Sequence, residues 1–214
     1  MEKIEQTVRE APSGLQYDAY QTICLKLQAK VKQTEKPVCI IVVTSTTAEE
    51  GQEVVAANLA VVMAKSGVKT LLLDCDFRTP VLHEAFQRPN RGLTDCLAAG
   101  ANYHEFVQHV ADAELDIMTG GAAVANAGEL LSSRQMQDLL EDVRSEYEYV
   151  FVNTPPVLAS ADAILVSGKA DGVILVIASG INEAKLINKA KVTLEQAGAS
   201  LLGCILNNAS EKQE

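Results

Sequence analysis

Short runs of leucine and β-branched residues recur along the chain and alternate with helical patterns. Several of these runs are continuously apolar, which is typical of strands covered on both faces. The predicted strands are Val38–Val43, Thr70–Asp74, Leu115–Met118, Tyr149–Asn153, Val173–Ala178 and Leu201–Asn207. The clearest predicted helices are Leu15–Val31, Val54–Ser66, Ser132–Tyr147 and Asn182–Gln196. Together they predict an α/β fold with a doubly wound, mostly parallel sheet and helices on both faces.

The length of 214 residues suits a single domain with a sizeable core. We divide the chain into a polar N-terminal arm (residues 1–14), one domain (residues 15–208) and a C-terminal tail (residues 209–214). In sheets of this kind, ligands bind outside the carboxyl ends of the strands. Functional residues are therefore expected in the loops that follow the predicted strands.

The charge balance limits the partners that such a chain can bind. It has 18 basic and 28 acidic residues, a net charge of −10, which disfavours nucleic acid and anionic lipid. Its apolar runs are shorter than the ~20 residues of a membrane helix, and its N-terminus lacks the apolar core of a signal peptide. We therefore expect a cytoplasmic protein without direct membrane insertion, whose five cysteines are buried free thiols.

The loop after the first predicted strand has the order of a phosphate-binding P-loop: strand, loop, helix. A P-loop needs glycines that let backbone N–H groups approach phosphate, a lysine for the β and γ oxygens, and a Ser/Thr hydroxyl for Mg²⁺. Only Gly51 keeps its place, because Gln52 stands at the lysine position and Glu53 at the hydroxyl position. An ordinary helix start explains both residues as well, since acidic side chains complement a helix N-terminus.

The chain resembles the bacterial tyrosine kinases of the capsule and exopolysaccharide machinery over residues 15–208. That family has S-x-x-P-G-E-G-K-S-T-x-x-A-N-L-A where this chain has Ser45–Ala60. Leu71–Phe86 is similar to its L-L-I-D-A-D-x-R-x-P-x-x-H-x-x-F, and Tyr149–Val157 to its V-I-I-D-T-P-P-V. The resemblance implies a P-loop NTPase-like domain of the MinD/ParA-like superfamily that uses ATP and Mg²⁺.

The resemblance also implies a set of binding positions, several of which have lost their usual chemistry. If nucleotide binds, the residues that would hold it are Gly51, Asp74, Asp76, Arg78 and Asn207. The metal positions are Glu53, Asp76 and Asn153, of which only Asp76 matches the family. Asn153 is neutral and a weaker ligand for a hard cation than a carboxylate. Glu53 is predicted to repel phosphate, with Glu49 and Glu50 adding negative charge, although Glu53 as a replacement Mg²⁺ ligand remains an alternative.

We therefore assign no catalytic residue at the degenerate positions Gln52, Glu53 and Asn153, and expect no cofactor unless the site is active with ATP and Mg²⁺. Asp74 and Asp76 have the placement of a metal pair, but a structural role with hydrogen bonds to Arg78 is an equal alternative. The histidines show no zinc-ligand spacing.

The resemblance also has implications for self-association and for binding partners. The family's E-x-x-R-x-x-R oligomerisation motif corresponds to Asp18–Cys24, with Gln21 and Cys24 in place of both arginines. A homo-oligomer is thus left open, but not through that contact. The last tyrosine is Tyr149, in a predicted strand, so no phosphoacceptor is expected in the tail. A membrane adaptor of the polysaccharide co-polymerase type is the implied partner, with recruitment to the inner face of the membrane.

Three functions follow as hypotheses. The first is a catalytically deficient pseudokinase that acts as a regulatory or adaptor-binding module. The second is an active, ATP-dependent, autophosphorylating protein-tyrosine kinase, and the third is a MinD- or ParA-like positioning ATPase. Four coordinated losses favour the first: the lysine, the hydroxyl, the aspartate at position 153 and the tyrosine-rich tail.

Overall fold

Seven strands form one sheet in the computed structural model, which describes residues 14–31 and 40–209. The strands are β1 (Ile40–Ser45), β2 (Thr70–Asp74), β3 (Gln108–Val110), β4 (Leu115–Met118), β5 (Tyr149–Asn153), β6 (Gly172–Ala178) and β7 (Leu201–Asn207). Their order is β3-β4-β2-β5-β1-β6-β7, and every neighbouring pair is parallel except β3 with β4. The predicted fold class is therefore confirmed.

Strand β1 lies inside the sheet between β5 and β6, and all of its residues are buried. Ile40 and Val42 pack into the apolar layer on one face, whereas Ile41 and Val43 pack into the layer on the other face. Successive side chains of a strand point to opposite faces, so a strand covered on both sides needs a continuous apolar run. This requirement is why the run was visible in the sequence.

Eight α-helices in the described part of the chain cover the sheet. They are α1 (Leu15–Val31), α2 (Gln52–Lys65), α3 (Leu82–Ala85), α4 (Leu93–Ala99), α5 (Ala127–Ser132), α6 (Arg134–Glu146), α7 (Asp162–Ser167) and α8 (Ala184–Gln196). Buried residues of α1, α2 and α3 belong to the core on one face, and those of α4 to α8 belong to the core on the other. The sheet is thus covered on both faces, as predicted.

Helix α1 is fixed to two other elements. Its Cys24 thiol donates to the Leu59 carbonyl of α2 at 3.8 Å, and Leu27 packs in the same core. Its Lys30 ammonium donates to the Leu202 carbonyl of the edge strand β7 at 2.7 Å. Lysines at an edge strand oppose pairing with a strand of another chain.

Four predicted strands have the observed bounds. The strand predicted as Val173–Ala178, which is β6, begins one residue earlier, at Gly172. The first predicted strand begins at Ile40 and continues to Ser45, while Val38 and Cys39 lie outside the described residues. The antiparallel edge strand β3 was not predicted, because its three residues Gln108–Val110 carry no apolar run.

Three of the predicted helix starts were wrong. The helix expected from Ser132 begins at Arg134, where the Ser133 hydroxyl accepts a hydrogen bond from the Met136 N–H. The helix expected from Asn182 begins at Ala184, because the Asn182 side chain bonds to the loop after β1 instead. The helix expected from Val54 begins at Gln52, directly after the glycine.

The proposed arm and tail fall mostly outside the described residues, which exclude 1–13 and 210–214. Within the described ranges, no helix is both long and apolar enough to cross a membrane. Cys24, Cys75 and Cys96 are buried as expected, but Cys204 is exposed because it lies on the partly covered edge strand β7.

Candidate functional site

The candidate site lies where the inner strands β1, β2 and β5 end. Asp74, the last residue of β2, is in register with Asn153, the last residue of β5, and Asn153 is in register with Val43 of β1. The loop of residues 46–51 leaves β1 at the same edge and leads into α2. The topology therefore brings the predicted loop and the predicted carboxylate positions together.

Gly51 provides the sharp turn at the start of α2. It has a left-handed backbone with φ of 77°, which glycine adopts without strain. A Cβ atom at this position would lie 2.7 Å from the Asn207 Nδ2 atom at the end of β7. Glu49 also has a positive φ, of 70°, in a place where the kinase pattern has glycine. The loop backbone thus keeps a glycine-type conformation with only one of its two glycines.

The Glu50 carboxylate holds this loop from the inside. One oxygen accepts the Thr46 and Thr47 N–H groups at 2.6 and 2.9 Å. The other accepts the Ala178 N–H of β6 at 3.2 Å and the Asn182 side-chain amide at 2.8 Å. Glu50 is fully buried, so its carboxylate is directed to the loop's own N–H groups and away from solvent. It matches the glutamate of the P-G-E-G pattern and serves as a structural anion.

Gln52 and Glu53 occupy the first turn of α2. Gln52 is buried, and its side-chain oxygen accepts the Ser45 hydroxyl at 2.9 Å, so the side chain is turned back onto the strand. Glu53 is half-buried, and burial raises the pKa of its carboxyl group. The nearby Asp76 carboxylate raises that pKa further, whereas a backbone N–H lowers it. The position of the P-loop hydroxyl is therefore filled by a carboxyl group close to another one.

Asp74 and Asn153 form a buried pair behind the loop. The Asn153 amide donates to Asp74 Oδ1 at 3.0 Å, and the Asp76 N–H donates to the same oxygen at 3.1 Å. Burial raises the Asp74 pKa to about 7, in part offset by the Asn153 hydrogen bond. Asn153 thus acts as a neutral donor to Asp74 where the kinase pattern has an aspartate.

Asp76 and Arg78 do not pair through their side chains. The Asp76 carboxylate accepts the N–H groups of Arg78 and Thr79 at 3.1 and 3.0 Å, and the Thr79 hydroxyl at 2.9 Å. The Arg78 guanidinium instead contacts buried Asp162 at 2.8 Å. Asp76 therefore bonds to the backbone of Arg78, and the Arg78 guanidinium is directed to Asp162 instead.

Asn207 ties the last strand to the loop and borders an open cleft. Its side-chain amide donates to the Glu50 carbonyl at 2.9 Å. The cleft, of about 540 Å³, is lined by the loop, α1, the start of α2 and the end of β7, including Tyr20, Ile23, Glu53 and Asn58. No lysine or arginine lines it among the described residues.

The comparisons with known proteins agree with this geometry. Residues 38–193 match the family model described as an AAA domain. The chain is 40% identical to the tyrosine-protein kinase YwqD of Bacillus subtilis, over 92% of this chain and 82% of that protein. The crystal structure of the chimerical protein CapA2B2 is similar with a TM-score of 0.89 and 32% identity, over 96% of this chain and 90% of that one. The chain belongs to the bacterial tyrosine kinase family.

Two further similarities define the limits of that assignment. The chain is 33% identical to the tyrosine-protein kinase etk of Escherichia coli over 94% of its own length, but spans only 28% of that protein. The MinD protein of Pyrococcus horikoshii, at 23% identity and a TM-score of 0.68, shares the fold. The fold is therefore common to both groups, whereas the sequence lies with the kinases.

The residues at the family's nucleotide and metal positions do not fit MgATP. Gln52 is engaged with Ser45, Asn153 donates to Asp74, and Asp76 already accepts three hydrogen bonds. No group of three histidine, cysteine or acidic side chains is arranged to hold a metal within residues 14–31 and 40–209. The loop thus keeps the left-handed glycine turn of a P-loop, but Gln52, Glu53 and Asn153 stand where the kinase pattern has lysine, serine and aspartate.

Several contacts of this site were not predicted from the sequence. Asn182 and Ala178 bind Glu50 across 132 and 128 positions of the chain, and Asp162 binds Arg78 across 84. No local sequence pattern marks Asp162 as the partner of Arg78. The parallel order of β1 and β6 was the one available hint, because it places the loop beside the end of β6.

We predict that Glu50→Ala strongly destabilises the protein, because three backbone N–H groups and the Asn182 amide lose their acceptor. The expected loss in the free energy of unfolding is about 3 kcal/mol or more. Urea unfolding monitored by circular dichroism measures it. Glu49→Ala removes an adjacent but exposed glutamate and should change stability little. Equal effects of the two substitutions would contradict the role of Glu50.

We predict that Asp74 makes the protein less stable as the pH rises from about 4 to about 7. Its ordinary pKa of 3.8 is raised to about 7 by burial, so in this window the unfolded chain has lost a proton that the folded protein keeps. Asp74→Asn keeps the acceptor oxygen and removes the titration. Its stability relative to the parent should grow across this window by up to about 1.4 kcal/mol per pH unit and then stay constant.

Urea unfolding at several pH values measures this difference. Asp112→Asn, at an exposed aspartate, is the matched control and should show no such trend. A pH-independent difference between Asp74→Asn and the parent would exclude a buried, protonated Asp74.

Proposed function

We propose that this chain is a catalytically deficient tyrosine kinase domain that acts as a regulatory or adaptor-binding module in capsule or exopolysaccharide synthesis. The proposal is based on the contacts of the three residues that differ from the kinase pattern, Gln52, Glu53 and Asn153. Gln52 bonds to Ser45 and Asn153 bonds to Asp74. Glu53 places a carboxyl group at the start of α2, beside the open cleft.

Electrostatics at Glu53 supports weak nucleotide binding. A carboxylate and a phosphate about 4 Å apart repel by about 4 kcal/mol at an effective dielectric constant of 20. That energy corresponds to about three decades in affinity. Gln52, which stands at the lysine position, supplies no compensating cation.

The metal positions support the same conclusion. A Mg²⁺ ion prefers anionic oxygen ligands in octahedral geometry. The Asn153 amide nitrogen donates to Asp74, so only its neutral oxygen, which has no hydrogen-bond partner among the described residues, is left for a cation. Binding a cation at Asp76 would compete with the Thr79 hydroxyl and two backbone N–H groups. The retained carboxylates thus stabilise the loop after β2.

The partner and location follow from the family and are part of this proposal. We carry over a membrane adaptor of the polysaccharide co-polymerase type, with a cytoplasmic domain recruited to the inner face of the membrane. The family's arginines at Gln21 and Cys24 are missing, and Cys24 faces the core against Leu59. Helix α1 therefore serves this domain as a packed structural element.

An active kinase is the second candidate, favoured by one observation. Glu53 lies close enough to Asp76 for their charges to interact, so the two carboxylates would attract a cation together. In that case Glu53 would bridge the metal instead of repelling the phosphate. A nucleotide titration separates the two candidates.

We predict that the purified protein binds MgATP and MgADP with a dissociation constant no tighter than about 1 mM, given the energy above. Isothermal titration calorimetry measures it directly. The melting temperature should also be unchanged by about 0.1 mM MgATP, since a ligand far below its dissociation constant does not stabilise. A micromolar dissociation constant would overturn the proposal in favour of the active kinase.

We predict that Gln52→Lys, Glu53→Ser, Val54→Thr and Asn153→Asp in one chain recover nucleotide binding. Together they restore a lysine, a hydroxyl and a metal carboxylate around the retained Gly51 and Asp76. Gln52→Lys alone is the control and should do little, because Glu53 and Asn153 remain. If the combined variant binds no better than the parent, the defect lies in the loop backbone around Ala48 and Glu49.

A further inference from the structure

The edge of the sheet at β7 differs in charge from the rest of the chain. Helix α1 packs on one face of the sheet beside this strand, and α8 packs on the other face. The two helices contain five lysines and two acidic residues, a net charge of +3, whereas the whole chain has a net charge of −10. Strand β7 has no charged residue. This edge is therefore locally basic in an acidic protein.

The large apolar side chains that are exposed lie at the same edge. Within the described ranges, every such residue belongs to α1, α8, β7 or the loop before α8. They are Leu15, Leu25, Ile181, Leu186, Val192 and Leu206. Exposed apolar side chains that gather in one region mark an interaction surface. Exposure and charge are independent properties, and both single out this edge.

Helix geometry places lysine and leucine on the same side of α1. Lys30 donates to the Leu202 carbonyl of β7 at 2.7 Å, so this side of the helix is directed to the edge strand. Lys26 is one turn before Lys30, and Leu15 is about three turns before Lys26, so both share that side. Leu25 is five residues before Lys30 and therefore lies on a different side of α1.

Helix α8 adds basic and apolar residues on the other face of β7. Partial burial raises the pKa of the Cys204 thiol of β7, and the nearby Lys191 ammonium of α8 lowers it in part. Val192 follows Lys191, and Lys185 is about two turns before Val192 on the same side of the helix. We call the following residues the edge surface: Leu15, Lys26, Lys185, Lys191, Val192 and Leu206.

We infer that the edge surface binds the anionic headgroups of a lipid bilayer. Its lysine ammonium groups would contact the lipid phosphates, while Leu15, Val192 and Leu206 would enter the boundary between headgroups and acyl chains. Lysines combined with exposed apolar side chains hold a protein on an anionic membrane without spanning it. This inference goes beyond the proposed function, in which an adaptor recruits the domain. It depends on neither the adaptor nor a nucleotide, so the two stand or fall separately.

Other occupants fit the edge surface less well. An added strand would need the free carbonyl groups of β7, but Lys30 occupies that of Leu202. The same edge of a second copy would bring like charges together. Protein interfaces are enriched in arginine and aromatic residues and depleted of lysine, whereas α1 and α8 have no arginine and no exposed aromatic residue. Nucleic acid would match the lysines but would leave the exposed leucines uncovered.

The test measures co-sedimentation of the purified protein with vesicles of phosphatidylcholine, with and without phosphatidylglycerol. Binding should require phosphatidylglycerol and should weaken when the salt is raised from about 0.15 M to about 0.5 M. Lys26→Gln, Lys185→Gln and Lys191→Gln in one chain should weaken binding about tenfold or more, since each lysine near an anionic surface contributes to it.

A matched variant controls for overall charge. Lys69→Gln, Arg91→Gln and Arg134→Gln remove three exposed cations that precede β2, precede α4 and begin α6, away from the edge surface. This variant should bind the vesicles as the parent does, and melting curves check that both triple variants are folded. Equal losses from the two triple variants, or no binding of the parent to anionic vesicles, would overturn the inference.

Two single variants test the apolar contribution. Leu15→Gln should weaken vesicle binding about fivefold, because it removes an apolar side chain from the edge surface. Leu25→Gln removes an equally exposed leucine from a different side of α1 and should leave binding unchanged. A short DNA duplex tests for a general phosphate site. If the duplex competes fully with the vesicles and Leu15→Gln has no effect, the surface recognises phosphate alone and the inference is wrong.

Discussion

The buried Glu50 carboxylate is the interaction on which the candidate site depends. It joins the loop after β1 to the end of β6 and to Asn182, through four hydrogen bonds to groups that would otherwise be buried without an acceptor. Charge-assisted hydrogen bonds of this kind are stronger than neutral ones. Because the acceptor belongs to the chain, the loop keeps its shape without a bound phosphate. The left-handed turn at Gly51 and the contact of Asn207 with the Glu50 carbonyl both rest on that shape.

The fold tolerates Gln52 and Asn153 because each of these side chains makes a hydrogen bond within the protein. An aspartate at position 153 would place a second buried carboxylate beside Asp74, and two like charges in a dry site cannot both ionise cheaply. An asparagine there donates a hydrogen bond instead. Gln52 likewise bonds to Ser45, where a lysine would leave an unpaired cation. Sites that bind charged ligands tend to be strained without them, so these exchanges stabilise the protein in the absence of a ligand.

The parts of the fold that follow from the sequence are those set by burial on both faces of the sheet. Thr70–Asp74 and Tyr149–Asn153 were predictable because a covered strand must be apolar at every position. Strand β3 was not, since its three residues are partly exposed at an edge. In the site, the positions of Gly51, Asp74 and Asn153 were predictable from the order of strands and loops. The direction of each side chain was not: Glu50 turned inward and Arg78 turned to Asp162, because their partners are distant in the chain.

The polar side chains of the candidate site are separate from the apolar core, because the core covers the two faces of the sheet and the site lies at the ends of its strands. The two apolar layers contain the buried parts of β1, β2, β5 and β6, and neither layer includes Gln52, Glu53 or Asn153. Exchanges at those positions therefore leave the apolar packing unchanged and alter only polar contacts at the strand ends. A chain built in this way is able to change the side chains at these three positions without a change in the core that holds the sheet together.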